Sequence, residues 1–330
     1  MTRIWNNAEN FREEMITGFT AAYARHVARI PDASGVMVVG GPEDGKVSVL
    51  IGGGSGHYPA FCGMVGKGFA TGSVIGDIFT SPSGEQIYRC TKALDAGAGV
   101  VYSYGNYSGD VMNFDMAEMR AEAEGIDVRQ VVVTDDVASS DTIEERRGVA
   151  GDFHVFKALS ASAWRGDDLD AVEAIGQKAN AMTRSFGIAF GGCTLPGKTE
   201  PMFSVDPKMM EVGMGIHGEP GIQTTELISA SELADMMVKK ILDDVPDGAG
   251  DEVTVMVNGL GATHYEEMFV YYGTVSKLLV DAGLRVHDPL IGEFATSLDM
   301  EGFSLTLMWL DDDLKALYDA PCTSPAFTKV

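Results

Sequence analysis

Val47-Ser48-Val49-Leu50-Ile51-Gly52-Gly53-Gly54-Ser55-Gly56-His57-Tyr58-Pro59 runs from an apolar segment straight into a glycine-rich stretch that ends on a histidine. Residues 47–51 have the composition of a strand buried on both faces. A buried strand feeding a glycine-rich loop, with a helix expected beyond it, is the site-bearing unit of α/β sheets. A second stretch has the same ingredients. Gly213-Met214-Gly215-Ile216-His217-Gly218-Glu219-Pro220-Gly221 follows an extended run at 209–212 and sets one imidazole among four glycines. Those glycines remove side-chain bulk and permit positive φ on either side of the histidine. Pro220 fixes its own φ and stops further strand pairing. One such histidine reads as an ordinary polar surface group. Two, in different halves of the chain, read as loops that admit a small ligand.

Outward from these loops the pattern is that of alternating strands and helices. Apolar positions Phe11, Met15, Phe19, Tyr23 and Val27 recur every four residues, which predicts a helix over 6–29. Strands are expected at 36–39, 47–51, 99–104 and 128–134. Gly76-Asp77-Ile78-Phe79-Thr80-Ser81-Pro82-Ser83 reads as a loop leading into a helix from about 86, and another helix is expected over 112–123, with Asp110 at its N-cap. Helical material fills 149–185. The pattern restarts near Ser185-Phe186-Gly187, with strands at 188–190, 211–216, 252–258, 284–286 and 304–310 and helices at 231–243, 265–281 and 312–319. The expected fold is therefore α/β, as two successive α/β domains, 1–185 and 186–330.

The glycine stretch is not a nucleotide motif. A Walker A loop needs G-x-x-x-x-G-K-[ST], and around Gly66-Lys67 the first glycine is Phe61 and the Ser/Thr is Gly68. A dinucleotide fingerprint forced onto Gly52–His57 lacks its last glycine, and His57-Tyr58-Pro59 interrupts the helix start. Charge points the same way. With 48 acidic against 24 basic residues and a net charge of −24, the 330-residue chain repels polyphosphate backbones. Nucleic-acid binding is excluded on that ground. No apolar run approaches the roughly 18 residues that span a bilayer, and no signal peptide is visible at the N-terminus. Cys62, Cys90, Cys193 and Cys322 are far apart, which suits a reducing cytoplasm and argues against zinc or a disulfide scaffold.

Five motifs in order then carry a resemblance: Gly-Gly-Gly-Ser-Gly-His57, Gly-Asp-Ile-Phe-Thr-Ser-Pro82, Asn106-Tyr-Ser-Gly-Asp-Val-Met-Asn-Phe114, Arg146-Arg-Gly-Val-Ala-Gly151 and Gly215-Ile-His-Gly-Glu-Pro-Gly221. Together with Thr296-Ser-Leu-Asp-Met300 and the stretch from Ala320-Pro321 to Pro325-Ala326-Phe327, where the K subunit also ends, they resemble the dihydroxyacetone kinase K subunit family. The resemblance implies a cytoplasmic, homodimeric ketose-binding subunit whose partner, the L subunit, brings the phosphoryl donor (ATP or a phosphotransferase protein) and Mg²⁺. It implies no metal in this chain. His217 would attack the substrate carbonyl to form a hemiaminal, which accepts ketones and excludes polyols such as glycerol. His57 would take the proton of the hydroxyl that attacks phosphorus, and Asp110 would bind that hydroxyl and share the acid/base work. Gly54, Ser81 and Gly105 fall at substrate-contacting positions or beside them.

Two positions depart from the family pattern: Tyr58 stands where it has glutamate, and Gly105 where it has lysine. Either these are variations at loop positions that do not touch substrate, or they remodel the pocket for a longer ketose such as the four-carbon erythrulose. A second function class is also implied by the family, a ketose sensor that regulates transcription through a partner. Retention of His57, Asp110 and His217 together favours the enzyme, because a sensor needs no proton transfer.

Overall fold

The computed structural model describes residues 2–330 and divides into two compact units, each built on its own sheet. One unit comprises Trp5–Val133, Phe153–Ala179 and Leu314–Val330; the other comprises residues 2–4, Thr134–Asp152 and Asn180–Asp313. This differs from the single cut expected at 185/186, because residues 2–4, the segment 134–152 and the C-terminal segment cross over. Residues 134–152 are tied to the strand at 183–189, with Ser185 N donating to Asp135 O at 2.8 Å and Val137 N to Ser185 O at 3.0 Å. The C-terminal segment returns to the first unit, where the buried Lys157 Nζ donates to Leu317 O and Ala320 O.

In the first unit the elements run α1 (Phe11–Ala22), β1 (Val27–Arg29), β2 (Gly35–Val38), β3 (Ser48–Ser55), β4 (Gly72–Ile78), α2 (Gly84–Leu94), β5 (Val100–Gly105), α3 (Ser108–Ala123) and β6 (Val128–Val133), then α4 (Asp152–Arg165) and α5 (Leu169–Ala181). Among the described residues the sheet has six strands in the order β1-β2-β4-β3-β5-β6. Strands β4, β3, β5 and β6 are parallel, and β1 and β2 are antiparallel additions at the edge. Every residue of β3 is buried, as expected from the apolar run at 47–51, and so is every residue of β5.

The chain crosses from β3 to β4 on one side and then back over β3 to β5 on the other. The direction of winding therefore reverses at β3, and ligands of open α/β sheets sit outside the carboxyl ends of the strands at such a reversal. Helices α2 and α3 cover one face through Ile87, Tyr88, Leu94, Phe114 and Ala117, packed on Tyr102 and Tyr104 of β5. The Phe114 and Tyr104 rings stack at 4.1 Å.

The second unit continues with β7 (Thr183–Ala189), β8 (Met209–Val212), β9 (Gln223–Glu226), α6 (Ala230–Leu242), β10 (Glu252–Gly259), α7 (Tyr265–Asp281), β11 (Arg285–Val286), β12 (Leu290–Gly292) and β13 (Gly302–Trp309). Its strand order is β11-β10-β13-β7-β8-β9, with β12 also on β10. The central pairs β10/β13 and β13/β7 are antiparallel. Alternate residues Val253, Val255 and Val257 of β10 and Leu305, Leu307 and Trp309 of β13 meet Met237 and Ile241 of α6 and Tyr271 and Val275 of α7. Helix α8 (Asp312–Asp319) and the short pair β14 (Cys322–Thr323) and β15 (Thr328–Lys329) complete the chain in the first unit.

Several local expectations change: the helical stretch expected to 185 gives way to β7 at Thr183, and the strand expected over 211–216 is β8, which ends at Val212. The helix expected to 29 ends at Ala22, because Val27–Arg29 pairs with β2 and sheet pairing overrides the four-residue period. The glycines at 52–54 lie inside β3 rather than in a loop, and β3 leads into a turn and a 3₁₀ helix at Cys62–Met64. Helix α3 begins at Ser108, so its N-cap is Tyr107 and Asp110 sits within the first turn.

Candidate functional site

Five of the residues singled out from sequence lie just beyond the carboxyl ends of adjacent parallel strands in the first unit, or at those ends. Gly54 and His57 come from the end of β3, Ser81 follows β4, Gly105 closes β5, and Asp110 is in the first turn of α3. The topology that puts the winding reversal at β3 thus gathers loops that are distant in sequence. His217 belongs to the second unit, in the turn after β8.

The glycines of β3 are there for close approach. A Cβ on Gly53 would lie 2.5 Å from the Phe61 ring, and one on Gly54 would lie 2.7 Å from Thr80 N. The loop after β4 therefore packs directly on the β3 backbone, and Phe79 N donates to Ser55 O at 3.0 Å. Phe79 adopts φ +54°, a left-handed conformation that a bulky residue takes only when its surroundings impose it. Its ring lies against His57, with centroids 5.0 Å apart, while Phe61 meets His57 edge-on at 6.4 Å. His57 is 1% exposed, so this aromatic slot fixes its ring plane.

Asn113, which lies in the Asn106–Phe114 motif but carried no role there, joins two of the loops. Its amide donates to Ser81 Oγ at 3.3 Å and to Gly109 O at 3.0 Å, and its Oδ1 accepts from Gly84 N at 3.1 Å. It lies one helical turn from Asp110, and that spacing is the signal that could have found it. Of the two departures, Tyr58 turns its ring to Phe19 on α1 at 5.9 Å, and burial pushes its phenol up. Gly105 is the last, buried residue of β5, and its carbonyl accepts from Tyr107 N at 2.8 Å.

In the second unit Gly213 turns the chain off β8 with φ +74°, and Gly218 comes after His217 with φ +80°. Glu219 then folds back on His217. One carboxylate oxygen accepts from His217 N at 2.9 Å, and the other lies 2.9 Å from His217 Nδ1. This places a proton on Nδ1 and, in the neutral ring, leaves the lone pair on Nε2. Burial alone would raise the Glu219 carboxyl, but the hydrogen bonds from His217 and its charge outweigh burial and hold it at about 2. Glu219 carried no role in the sequence motif. A carboxylate two residues beyond a histidine in a tight turn was the available signal.

The contact has a pH signature. An unfolded glutamate titrates at about 4.3, so the depressed folded value contributes stability in full above that pH and loses it as the pH falls toward 2. Glu219→Gln is therefore expected to be less stable than the parent at pH 6 by about 1–3 kcal/mol. The gap should narrow below pH 4, as read from urea midpoints across a pH series. A gap unchanged between pH 6 and pH 3 would mean the carboxylate charge is not what the variant loses.

The Dak1 domain family model matches residues 17–326. The chain belongs to the Dak1 family. This Dak1 chain is 49% identical to the D-erythrulose kinase of Mycolicibacterium smegmatis, over 100% of its own length and 57% of that protein's. It is 45% identical to a PTS-dependent dihydroxyacetone kinase 2, dihydroxyacetone-binding subunit, of Listeria innocua, over 99% of both chains. The Dak1 chain thus spans a little over half of the erythrulose kinase and matches the Listeria subunit almost end to end. Among solved structures it resembles the dihydroxyacetone kinase of C. freundii, at TM-score 0.92 and 32% identity over 99% of this chain and 60% of that one. It also resembles the dihydroxyacetone kinase operon co-activator Dha-DhaQ, at TM-score 0.90 and 29% identity over 96% and 98%. The Dak1 fold is accordingly a mixed α/β fold of the dihydroxyacetone kinase type.

Proposed function

We propose that the chain is the ketose-binding component of a two-component kinase and holds a short ketose covalently for a partner that carries the phosphoryl donor. The observation that carries this reading is the Glu219 clamp, which orients the His217 imidazole with Nδ1 protonated and Nε2 as the nucleophile. The Nε2 lone pair forms a bond to the carbonyl carbon, and the carbonyl π pair moves to oxygen, which takes up a proton. Glu219 pairs the positive charge that the ring acquires. A polyol has no such carbon, so glycerol is refused by chemistry rather than by shape.

The roles of the first-unit residues come from the family resemblance. His57 takes the proton of the attacking hydroxyl, Asp110 binds that hydroxyl, and Gly54 N–H, Ser81 and Gly105 line the substrate's approach. When bound with the partner, Mg²⁺ and the donor supply the phosphoryl group and neutralise its charge. Both three- and four-carbon ketoses suit the reading: the relatives named as an erythrulose kinase and as a dihydroxyacetone-binding subunit stand at 49% and 45% identity. Tyr58 packs on α1, which favours variation without effect on the pocket at that position.

The test is a coupled assay. Alone with Mg-ATP the chain is expected to phosphorylate nothing, since Gly66-Lys67 and Gly52–His57 both fail the phosphate-cradling patterns. With a donor-carrying partner it should turn over dihydroxyacetone or erythrulose and leave glycerol untouched. Turnover by the isolated chain would overturn the division of labour. The likeness to Dha-DhaQ keeps a second reading, a ketose-binding co-activator. Ketose binding without turnover, in the presence of a partner shown to be active with another K-type subunit, would establish that one instead.

A further inference from the structure

The turn that carries His217 is poorly braced by its own backbone. Its internal hydrogen bonds, Gly215 N to Glu219 O and Gly218 N to Gly215 O, are both 3.3 Å long. Gly213 N, where the turn begins, donates to Gly187 O of β7 at 2.8 Å, and the segment 134–152 adds a side-chain brace. Arg147 Nη2 donates to Gly213 O at 3.1 Å, at the point where the chain leaves β8. The same guanidinium is held from behind by Asp136, with Nη2 at 2.8 Å and Nε at 3.0 Å from one carboxylate oxygen. Asp136 is 2% exposed and its partner's side chain 15%, so the pair is shielded from solvent. Burial pushes the Asp136 carboxyl up to about 6, against the pull of Arg147.

Main-chain contacts fix the brace further, because Asp136 N donates to Arg147 O at 3.1 Å and Arg147 N to Ser139 Oγ at 3.0 Å. Gly215 is where brace and turn meet. A Cβ there would lie 2.2 Å from Glu219 Oε2 and 2.7 Å from Arg147 Nη1, so the guanidinium and the carboxylate that orients His217 flank the same spot. The neighbouring arginine does something else. Arg146 makes two hydrogen bonds to Asp244, at 2.6 and 3.1 Å, which also pairs with Arg184.

We propose that Arg147, anchored by Asp136, is a positioning residue that holds the Gly213–Glu219 turn so that Glu219 can orient the His217 imidazole toward a ketose carbonyl. The inference rests on the carbonyl-capture reading of His217 and deepens it. An imidazole displaced by about an ångström loses roughly a hundredfold in rate, because covalent attack requires near-contact geometry.

The test uses the full chain with a ketose labelled with ¹³C at its carbonyl carbon, read by NMR, together with kcat and KM in the presence of an active partner. The parent should show the carbon of a hemiaminal. Arg147→Met should lose that resonance and roughly ten- to a hundredfold in kcat/KM, and Arg147→Lys should recover part of both. Asp136→Asn should act in the same direction, and the Asp136→Asn/Arg147→Met pair should be no worse than Arg147→Met alone. Arg146→Met should lower stability and leave the labelled-carbon resonance in place. If Arg147→Met does not fold, Arg147→Lys and Asp136→Asn decide by the same resonance. An unchanged resonance and kcat/KM in the folded Arg147 and Asp136 variants would overturn the proposal. A parent that shows no hemiaminal carbon while still binding ketose would instead overturn the capture reading beneath it.

Discussion

His217→Ala is expected to stop turnover almost completely, by about four powers of ten or more with a competent partner and a saturating ketose. Residues that act as one chemical unit typically cost on that scale when the central member is removed. The variant loses the atom that forms the bond to the carbonyl carbon, and Glu219 is left facing a methyl group instead of Nδ1. Ketose affinity should fall about tenfold or more, and the refusal of glycerol should relax, since only non-covalent contacts remain to tell a ketone from an alcohol. Crystals of the parent soaked with dihydroxyacetone or erythrulose should show density continuous from His217 to a former carbonyl carbon. Wild-type discrimination against glycerol in His217→Ala would reduce the histidine to a turn residue.

His57→Asn should separate proton transfer from binding. Asparagine keeps a polar group within reach but offers no nitrogen able to accept the hydroxyl proton. Turnover should drop by roughly 10²–10⁴-fold, the usual contribution of a positioned acid/base group. Ketose affinity should change much less, because it rests mainly on His217 and Asp110 in the proposed scheme. The slot formed by Phe79 and Phe61 tolerates the smaller side chain by losing ring contact rather than by clashing. Steady-state kinetics and direct ketose titration of the same preparation read both effects. Equal losses in binding and turnover would make His57 a binding residue and favour the co-activator reading.

Much of this was legible before any fold was known. The apolar run at 47–51, the glycines after it and the two histidine loops pointed to α/β units with sites at strand ends, because strand burial and glycine freedom are local properties of the chain. Helices over 265–281 and 312–319 and the strand over 252–258 arise from periodicity alone and match α7, α8 and β10 within a residue. Local pattern fails where pairing decides. Val27 continues a helical period yet joins β1, and the polar Gln223–Glu226 becomes the edge strand β9 because β8 offers it backbone partners.

What the sequence determined by itself is the inventory: which residues can do chemistry, which loops are free of bulk, and that neither Gly66-Lys67 nor Gly52–His57 fits a Walker A or dinucleotide pattern. Tertiary structure alone decided who supports whom. The three glycines of β3 belong to a strand because Phe61, Val74 and the Phe79–Thr80 backbone press against positions where no Cβ fits. Segment 134–152 leaves the first unit because Asp135 accepts from Val149 N and Gly151 N and its backbone pairs beside Ser185. Arg147 reaches the His217 turn across 66 residues of sequence. Contacts of that separation depend on the whole chain's path, which no local window of sequence encodes.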